Sequence, residues 1–273
     1  MEIGNKAFEW GTKTFIMGVL NVTPDSFSGD GTSGNIQHAM DQAQRFQEFG
    51  ADILDVGGES TRPASLYPNS IPVSAEEELD RVLPVIEALH DGLDIPISID
   101  TSKSWVAKQA IAAGAEMVND VWGLVNDRRM RELISDTGVP VVLVHNQTHT
   151  NYNNVVVNVI QRLTQLLDNA IQAGIPKKQI ILDPGIGFGK TTQQSLQILR
   201  RLREFRVLGM PILVGPSRKS IIGSVLDLPV QDRLEGTAAT VAISIANGAD
   251  IIRVHDVKEM ARVAKMTDAI VRG

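Results

Sequence analysis

Cysteine is absent from the 273 residues, which excludes disulfide bonds, thiolate nucleophiles and the usual cysteine-built zinc sites. No run of about 18 apolar residues occurs, and no basic stretch followed by an apolar run opens the chain, so neither a transmembrane helix nor a signal peptide is predicted. The net charge of −6 argues against nucleic acid or an anionic membrane as a partner. We therefore expect a cytoplasmic protein that binds any anionic ligand through local cations.

Short apolar runs alternate along the chain with longer segments of helical periodicity, the pattern of βα units in a parallel sheet. The eight predicted strands are Thr14–Asn21, Ile53–Val56, Ile97–Asp100, Met117–Asp120, Val141–His145, Ile180–Asp183, Ile212–Gly215 and Ile251–His255. The predicted helices are Ile36–Phe49, Ala75–Leu89, Ser104–Ala113, Arg128–Asp136, Val156–Ala173, Gln193–Phe205, Gly236–Asn247 and Val257–Val271. An open doubly wound sheet is the alternative, but eight consecutive units favour a closed barrel. We predict an α/β fold in which residues 1–273 form a single (β/α)8 TIM-barrel domain.

Polar and ionisable residues recur at the carboxyl ends of the predicted strands, where barrel enzymes place their active sites. Any one of them could instead cap a helix or fix a turn. Capping alone does not account for a set to which nearly every strand contributes. The positions are Asn21, Asp55, Asp100, Asn119, Asp120, His145, Asp183, Ser217, Lys219, Arg253 and His255.

The glycine-rich segment Asp183–Lys190 looks like a nucleotide-binding loop but matches neither common template. The Walker spacing requires glycine in place of Pro184, and the dinucleotide fingerprint requires glycine in place of Lys190. We interpret the glycines as allowing the backbone to lie close to a ligand beside Asp183.

Basic residues follow the last two strands. Arg218 and Lys219 lie where such barrels usually bind phosphate, although a solvated surface pair, or a Schiff-base role for Lys219, would also fit. Strand alternation places Arg253 and His255 on one side, next to the first amides of the last helix, which predicts an anion site. A helix cap at Asp256 is compatible with that site.

These motifs together resemble the dihydropteroate synthases, a family of pterin-binding enzymes. The resemblance runs in chain order through Met17–Ser28, Asp55–Pro63, Ser98–Thr101, Asn119–Val121, Asp183–Lys190, Ser217–Ser220 and Arg253–Val257. It implies a transferase of the alkyl or aryl (non-methyl) type in folate biosynthesis. Such an enzyme condenses 6-hydroxymethyl-7,8-dihydropterin pyrophosphate with 4-aminobenzoate, giving 7,8-dihydropteroate and pyrophosphate. It also implies Mg2+ as cofactor, sulfonamides as competitors and a homodimer.

The resemblance assigns roles to particular residues. It implies that Asn21 binds Mg2+ and that Arg253 and His255 hold the pyrophosphate. It also implies that the loops carrying Asp25 and Arg62 close over the site. The residues implied in catalysis are Asn21, Asp25, Arg62, Lys219, Arg253 and His255. The residues implied in substrate binding are Thr61, Asp100, Asn119, Asp183, Phe188, Gly215, Ser217, Lys219, Arg253, Val254 and His255, with Phe27, Pro63 and Phe188 forming an apolar slot for the 4-aminobenzoate ring.

The chain departs from the family pattern in three places: Val144 stands where methionine commonly precedes His145, Ala64 replaces a frequent glycine, and the first loop, Ser28–Gly31, has its glycine and aspartate displaced. Three other functions remain open: a pterin-binding methyltransferase that acts between a methylfolate and a corrinoid protein, a non-catalytic pterin-binding paralogue, and a Schiff-base aldolase using Lys219. The paired anion sites favour the synthase over the methyltransferase.

Overall fold

Eight parallel strands form the centre of the protein, for which a computed structural model describes residues 1–22, 31–59 and 73–273, except for the side chains of 31–35. They are β3 Phe15–Asn21, β4 Ile53–Gly57, β5 Ile97–Asp100, β6 Met117–Asp120, β7 Val141–Val144, β8 Ile180–Asp183, β9 Leu213–Val214 and β10 Ile251–Val254. Neighbours pair in the order β8-β7-β6-β5-β4-β3-β10-β9, and a parallel bridge from Leu182 to Ile212 joins the two ends. The predicted barrel is confirmed, and the open doubly wound alternative is wrong.

Helices surround the barrel. They are α1 Gly31–Glu48, α2 Ala75–Gly92, α3 Ser104–Ala112, α4 Arg129–Thr137, α5 Val155–Gln172, α6 Thr192–Arg200, α7 Ser220–Leu226, α8 Leu234–Ala246 and α9 Val257–Val271. The short helix α7 and an N-terminal hairpin, β1 Glu2–Ile3 with β2 Lys6–Ala7, were not predicted because each is shorter than the window that shows periodicity. Among the described residues, no helix is long and apolar enough to cross a membrane.

The helix predicted over Gln193–Phe205 divides in two. A capping box between Thr191 and Gln194 starts α6, and a 3-10 helix, Leu202–Leu208, follows it. The buried residues of the second part, Leu202, Phe205 and Leu208, are three apart, which matches the three-residue turn of a 3-10 helix. An apolar residue at every third position therefore marks the change from α-helix to 3-10 helix. The 3.6-residue periodicity of an α-helix does not reveal it.

Strand alternation sorts the barrel side chains into two cores. One set, including Leu54, Ile99 and Val254, packs outward against the helices. The inward set forms an apolar floor that the hairpin closes from below with Ile3 and Phe8; its strand residues are Phe15, Met17, Ile53, Met117, Val142, Val144, Ile181, Leu213 and Ile251.

Two residues beyond several floor positions, the next inward side chain is polar. The pairs are Ile53 and Asp55, Met117 and Asn119, Ile181 and Asp183, and Ile251 and Arg253. The same alternation that builds the floor therefore places acids, an amide and a cation above it, at the carboxyl ends of the strands.

The last helix is tied to the first barrel strand far from this polar layer. Asp268 accepts hydrogen bonds from the Thr14 backbone N–H at 2.7 Å and from the Thr14 hydroxyl at 2.8 Å, and it pairs with Arg272 Nε at 2.7 Å. Arg272 also donates to the carbonyl oxygens of Gly11 at 3.0 Å and Ala249 at 3.3 Å. One guanidinium thus joins the helix to two chain segments beneath the barrel.

We predict that Arg272→Met lowers the free energy of unfolding by about 1–3 kcal/mol, because hydrogen bonds made by a charged group are lost while the aliphatic stem is kept. Urea unfolding followed by circular dichroism measures the change. An unchanged midpoint and slope would contradict it.

Candidate active site

A half-buried guanidinium, with the side chain 21% exposed, lies at the centre of the polar layer. Arg253 donates through Nε to Asp55 Oδ2 at 2.6 Å and through Nη2 to Asp100 Oδ2 at 2.7 Å, so it joins β10 to β4 and β5. Asn119 on β6 donates to the same Asp55 oxygen at 3.0 Å. Four strands are thereby connected across the barrel by three hydrogen bonds, two of which are charge-assisted.

Four buried oxygen atoms in this layer accept no hydrogen bond from the described residues: Asp55 Oδ1, Asp100 Oδ1, Asn119 Oδ1 and Ser98 Oγ. Buried polar atoms are nearly always paired, and leaving one unpaired costs about 1–3 kcal/mol. Amide oxygens and ionised carboxylates accept hydrogen bonds from N–H groups. The geometry therefore suits a flat ligand with several N–H donors.

Burial is the largest single influence on the pKa values of Asp100 and Arg253. It raises the pKa of Asp100 from 3.8 to about 7, with Arg253 opposing the shift and Asp55 adding to it. Burial also lowers the pKa of Arg253, but the two carboxylates outweigh it, and the net shift is upward. The guanidinium stays charged throughout the physiological range, whereas Asp100 is close to its titration point.

A second part of the site follows β8. The carboxylate of Asp183 accepts the Gly185 N–H at 2.7 Å, and burial raises its pKa against the opposing charge of Lys219. Lys219 donates to the Ile186 carbonyl oxygen, and its Nζ lies 4.5 Å from the ring centroid of Phe188. Burial lowers the Lys219 pKa to about 8, an effect that Asp183 partly offsets. The turn after β8 thus presents an acid, a cation and an aromatic face together.

Ser217 and His255 meet at the mouth of the barrel. The His255 backbone N–H donates to Ser217 Oγ at 3.2 Å, and the imidazole Nδ1 lies 3.0 Å from the same oxygen. Gly215 faces the barrel beside Arg253, where an added Cβ would stand 3.6 Å from Arg253 Cβ. The predicted neighbourhood of Arg253, His255, Ser217 and Gly215 is found in the structure.

Arg218 does not face the same space as Lys219. Its guanidinium forms a two-point ion pair with Asp256, with Nε 3.0 Å from Oδ2. Asp256 is the N-cap residue of α9, but its carboxylate makes no capping bond and serves the ion pair instead. Of the two adjacent cations, Lys219 alone is directed to the site, and Arg218 joins the loop after β9 to the start of α9.

At three other predicted positions the side chain contacts the protein itself and not the pocket. Val254 lies between Arg253 and His255 on the strand, so its side chain packs against the helices, and the predicted substrate contact does not come from that side chain. Asp120 accepts the backbone N–H groups of Trp122 and Leu124, each at 2.8 Å, which makes it a turn-forming residue. His145 is buried against Lys190 rather than among the pocket acids.

Some residues of the site were not in the predicted set. Asp55 was noted at a strand end but assigned no role, although the Ile53–Asp55 alternation points it inward beside Asp100. Ser98, two residues before Asp100, could have been found in the same way. Asp25, Phe27, Thr61, Arg62 and Pro63 lie outside the described residues.

Few of the described side chains could bind the Mg2+ that the family resemblance implies. Among the residues that the structure describes, no group of three or more His, Cys, Asp or Glu could hold an ion. Asn21, half-buried at the end of β3, offers one amide oxygen. Mg2+ prefers oxygen ligands and keeps several waters while it bridges protein to phosphates, so a single amide oxygen fits that cation when the substrate supplies phosphate oxygens.

Comparison with known proteins agrees with this geometry. The family model for pterin-binding enzymes matches residues 17–255. A dihydropteroate synthase of Clostridium beijerinckii is 49% identical over 273 residues, covering 100% of both chains, and one of Bacillus subtilis is 47% identical over 97% of this chain and 91% of its own. The crystal structure of a Clostridium difficile dihydropteroate synthase, obtained in the presence of pteroic acid, is 48% identical with a TM-score of 0.93, covering 98% of this chain and 100% of its own.

Asp100 should make stability depend on pH. Its pKa is about 7 in the folded state and 3.8 without the protein environment, so between these values the folded state keeps a proton that the unfolded state releases. The contribution of Asp100 to the free energy of unfolding therefore falls as pH rises from about 4 to about 7 and stays low above that. We predict that wild type loses more stability than Asp100→Asn between about pH 5 and about pH 8. Urea midpoints at each pH measure this, and a variant with the steeper loss would contradict it.

Proposed function

The chain belongs to the pterin-binding enzyme family, and we infer from this membership and from the side chains gathered in the barrel that it is a dihydropteroate synthase. It condenses 6-hydroxymethyl-7,8-dihydropterin pyrophosphate with 4-aminobenzoate, giving 7,8-dihydropteroate and pyrophosphate. The reaction transfers an alkyl group to an amine nitrogen, which makes the enzyme a transferase of the non-methyl type.

The observation that carries this proposal is the set of buried acceptors that have no donor among the described residues. A pterin head presents amino and ring N–H groups along its edge, Asp100 and Asn119 offer unpaired oxygens to it, and the buried Asp183 carboxylate is a further acceptor. A carboxylate can accept two parallel N–H bonds from such an edge. A ring without those donors would leave the oxygen atoms unpaired, so the pocket selects for a pterin by penalising other rings.

The leaving pyrophosphate is stabilised at the mouth. Lys219, Arg253 and His255 supply cations and N–H donors there, although the protein as a whole carries a net charge of −6. Bound Mg2+, with Asn21 as its protein ligand, would neutralise the charge that develops on the pyrophosphate oxygens. The protein's own contribution is donors that are already in place before the C–O bond breaks.

The second substrate needs orientation more than activation. An arylamine is a neutral nucleophile at pH 7, so a strong general base is not required of the site. Ser217 and the nearby backbone would receive the carboxylate of 4-aminobenzoate, and the Phe188 ring, held under Lys219, would form one wall of its slot. Placing the amine against the pterin methylene lowers the entropic part of the barrier.

The activity is tested with a matched pair of buried acids. Wild type should release pyrophosphate only when both substrates and Mg2+ are present. Asp183→Asn should lower kcat/KM about 10- to 100-fold because a charged acceptor is lost from the pocket. Asp120→Asn is the control: an equally buried strand-end acid is changed, but Asp120 serves the turn after β6, so KM should hold while stability falls.

No pyrophosphate release by wild type under these conditions would refute the synthase function. Borohydride trapping of a covalent adduct at Lys219 would favour an aldolase, and methyl transfer from a methylfolate would favour the methyltransferase. Pterin binding without any turnover would identify a non-catalytic paralogue.

We also propose a homodimer formed through the last helices. Neighbouring helices expose large apolar side chains: Ile243 on α8 is 51% exposed, and Met266 and Ile270 on α9 are 63% and 70% exposed. Val225 and Leu226 on α7 are exposed as well. Contiguous exposed apolar surface of this kind is typical of a protein interface.

We predict that Met266→Glu combined with Ile270→Glu dissociates the dimer, because burying two carboxylates at an apolar interface is strongly unfavourable. Sedimentation velocity measures the mass of wild type and variant. Val207→Glu is the control, since Val207 is 77% exposed on the 3-10 helix after α6. A monomeric wild type, or a variant that remains dimeric, would contradict the proposed interface.

A further inference from the structure

Lys190 carries a buried amino group that the proposed reaction does not use. Burial lowers its pKa to about 7, with the Asp183 carboxylate opposing the shift, so below that pH the group is an ammonium. Its side chain is in the interior, with the residue 6% exposed. It closes the glycine segment after β8, which matches neither common nucleotide-binding template. In the structure the ammonium is turned away from solvent and into the loop that precedes it.

The three N–H donors of the ammonium have three close acceptors. Lys190 Nζ donates to the carbonyl oxygens of Gly185 at 2.9 Å and Phe188 at 2.8 Å, and it lies 2.9 Å from His145 Nδ1. Burial, with the charge of Lys190 adding to it, lowers the His145 pKa to about 3, so the imidazole is neutral and its Nδ1 can accept. The ammonium is fully paired, and the pairs converge from two loops.

The loop backbone is shaped around this cation. Gly185, Gly187 and Gly189 all have positive φ angles, and a Cβ at Gly185 would overlap the carbonyl oxygen of His145. The Phe188 N–H also donates to the Gly185 carbonyl at 3.0 Å, which makes a tight turn whose carbonyl groups point inward. Without Lys190, the Phe188 carbonyl would lose this buried donor and the Gly185 carbonyl would keep only the Phe188 N–H, where water has little access.

The outer side of the same turn faces the pocket. The Ile186 carbonyl receives Lys219, and the Phe188 ring lies beneath the Lys219 ammonium. We propose that Lys190 is a positioning residue, holding the turn 185–189 so that Phe188 and Lys219 keep their places in the active site. The kinetic part of this proposal rests on the proposed synthase function.

The test replaces Lys190 by methionine, which keeps the length of the side chain but removes the charge and all donors. We expect KM for 4-aminobenzoate to rise about tenfold, because the Phe188 wall is displaced, and KM for the pterin substrate to rise as well, because Lys219 loses its anchor on the turn. Amide hydrogen exchange should become faster across residues 185–190 in the variant.

Arg272→Met is the matched control, because it also removes a cation that donates to backbone carbonyls, but beneath the barrel. It should lower stability and leave both KM values unchanged. An equal rise of KM in both variants, or a Lys190→Met protein with wild-type KM and wild-type exchange, would overturn the proposal.

The absence of cysteine permits a chemical rescue that settles the case even when Lys190→Met folds poorly. Lys190→Cys can be alkylated with bromoethylamine in denaturant and refolded, which restores an ammonium at nearly the same position; wild type taken through the same steps is the reference. We expect KM for 4-aminobenzoate to return to the reference value. A refolded, aminoethylated protein whose KM stays raised would overturn the proposal. If the wild type releases no pyrophosphate, the proposed function fails, and hydrogen exchange in the same proteins still decides whether Lys190 fixes the turn.

Discussion

The ion pairs of Arg253 with Asp55 and Asp100 are the constraint on which the polar half of the barrel depends. A guanidinium in the interior is tolerable only when it is paired, and here it is paired by carboxylates from two other strands. With Asp183 and Lys219 added, the layer holds three carboxyl groups and two basic groups among the described residues. Burial and the neighbouring Asp55 charge raise the pKa of Asp100 to about 7, and the Arg253 guanidinium opposes that shift.

Much of this arrangement could be predicted from the sequence because it follows strand alternation. A run such as Ile251–Ile252–Arg253 fixes one side chain on the floor, one among the helices and one in the pocket, once the strand is recognised. Asp100, Asn119 and Asp183 follow by the same rule. The rule also places Val254 on the helix side, where family resemblance alone had suggested a contact with substrate.

The remainder depends on contacts between distant segments, which no local pattern encodes. That Arg218 pairs with Asp256 follows from the path of two loops that are 38 residues apart. Lys190 is similar: the glycines before it predict a tight turn, but the direction of its side chain is set by His145, 45 residues earlier. No local pattern shows that this side chain turns back to hold the carbonyl groups of its own loop.

A pocket built in this way carries a cost in stability. Four buried oxygen atoms lack donors among the described residues, at about 1–3 kcal/mol each, and Asp100 is held far from its ordinary pKa. The apolar floor and the outer core, which are continuous around the barrel, offset that cost. A ring with several N–H donors would pair these oxygens when it binds. The stability that the unpaired oxygens cost the protein is then regained as binding free energy. Selectivity for the ring and local instability of the site thus have one physical origin.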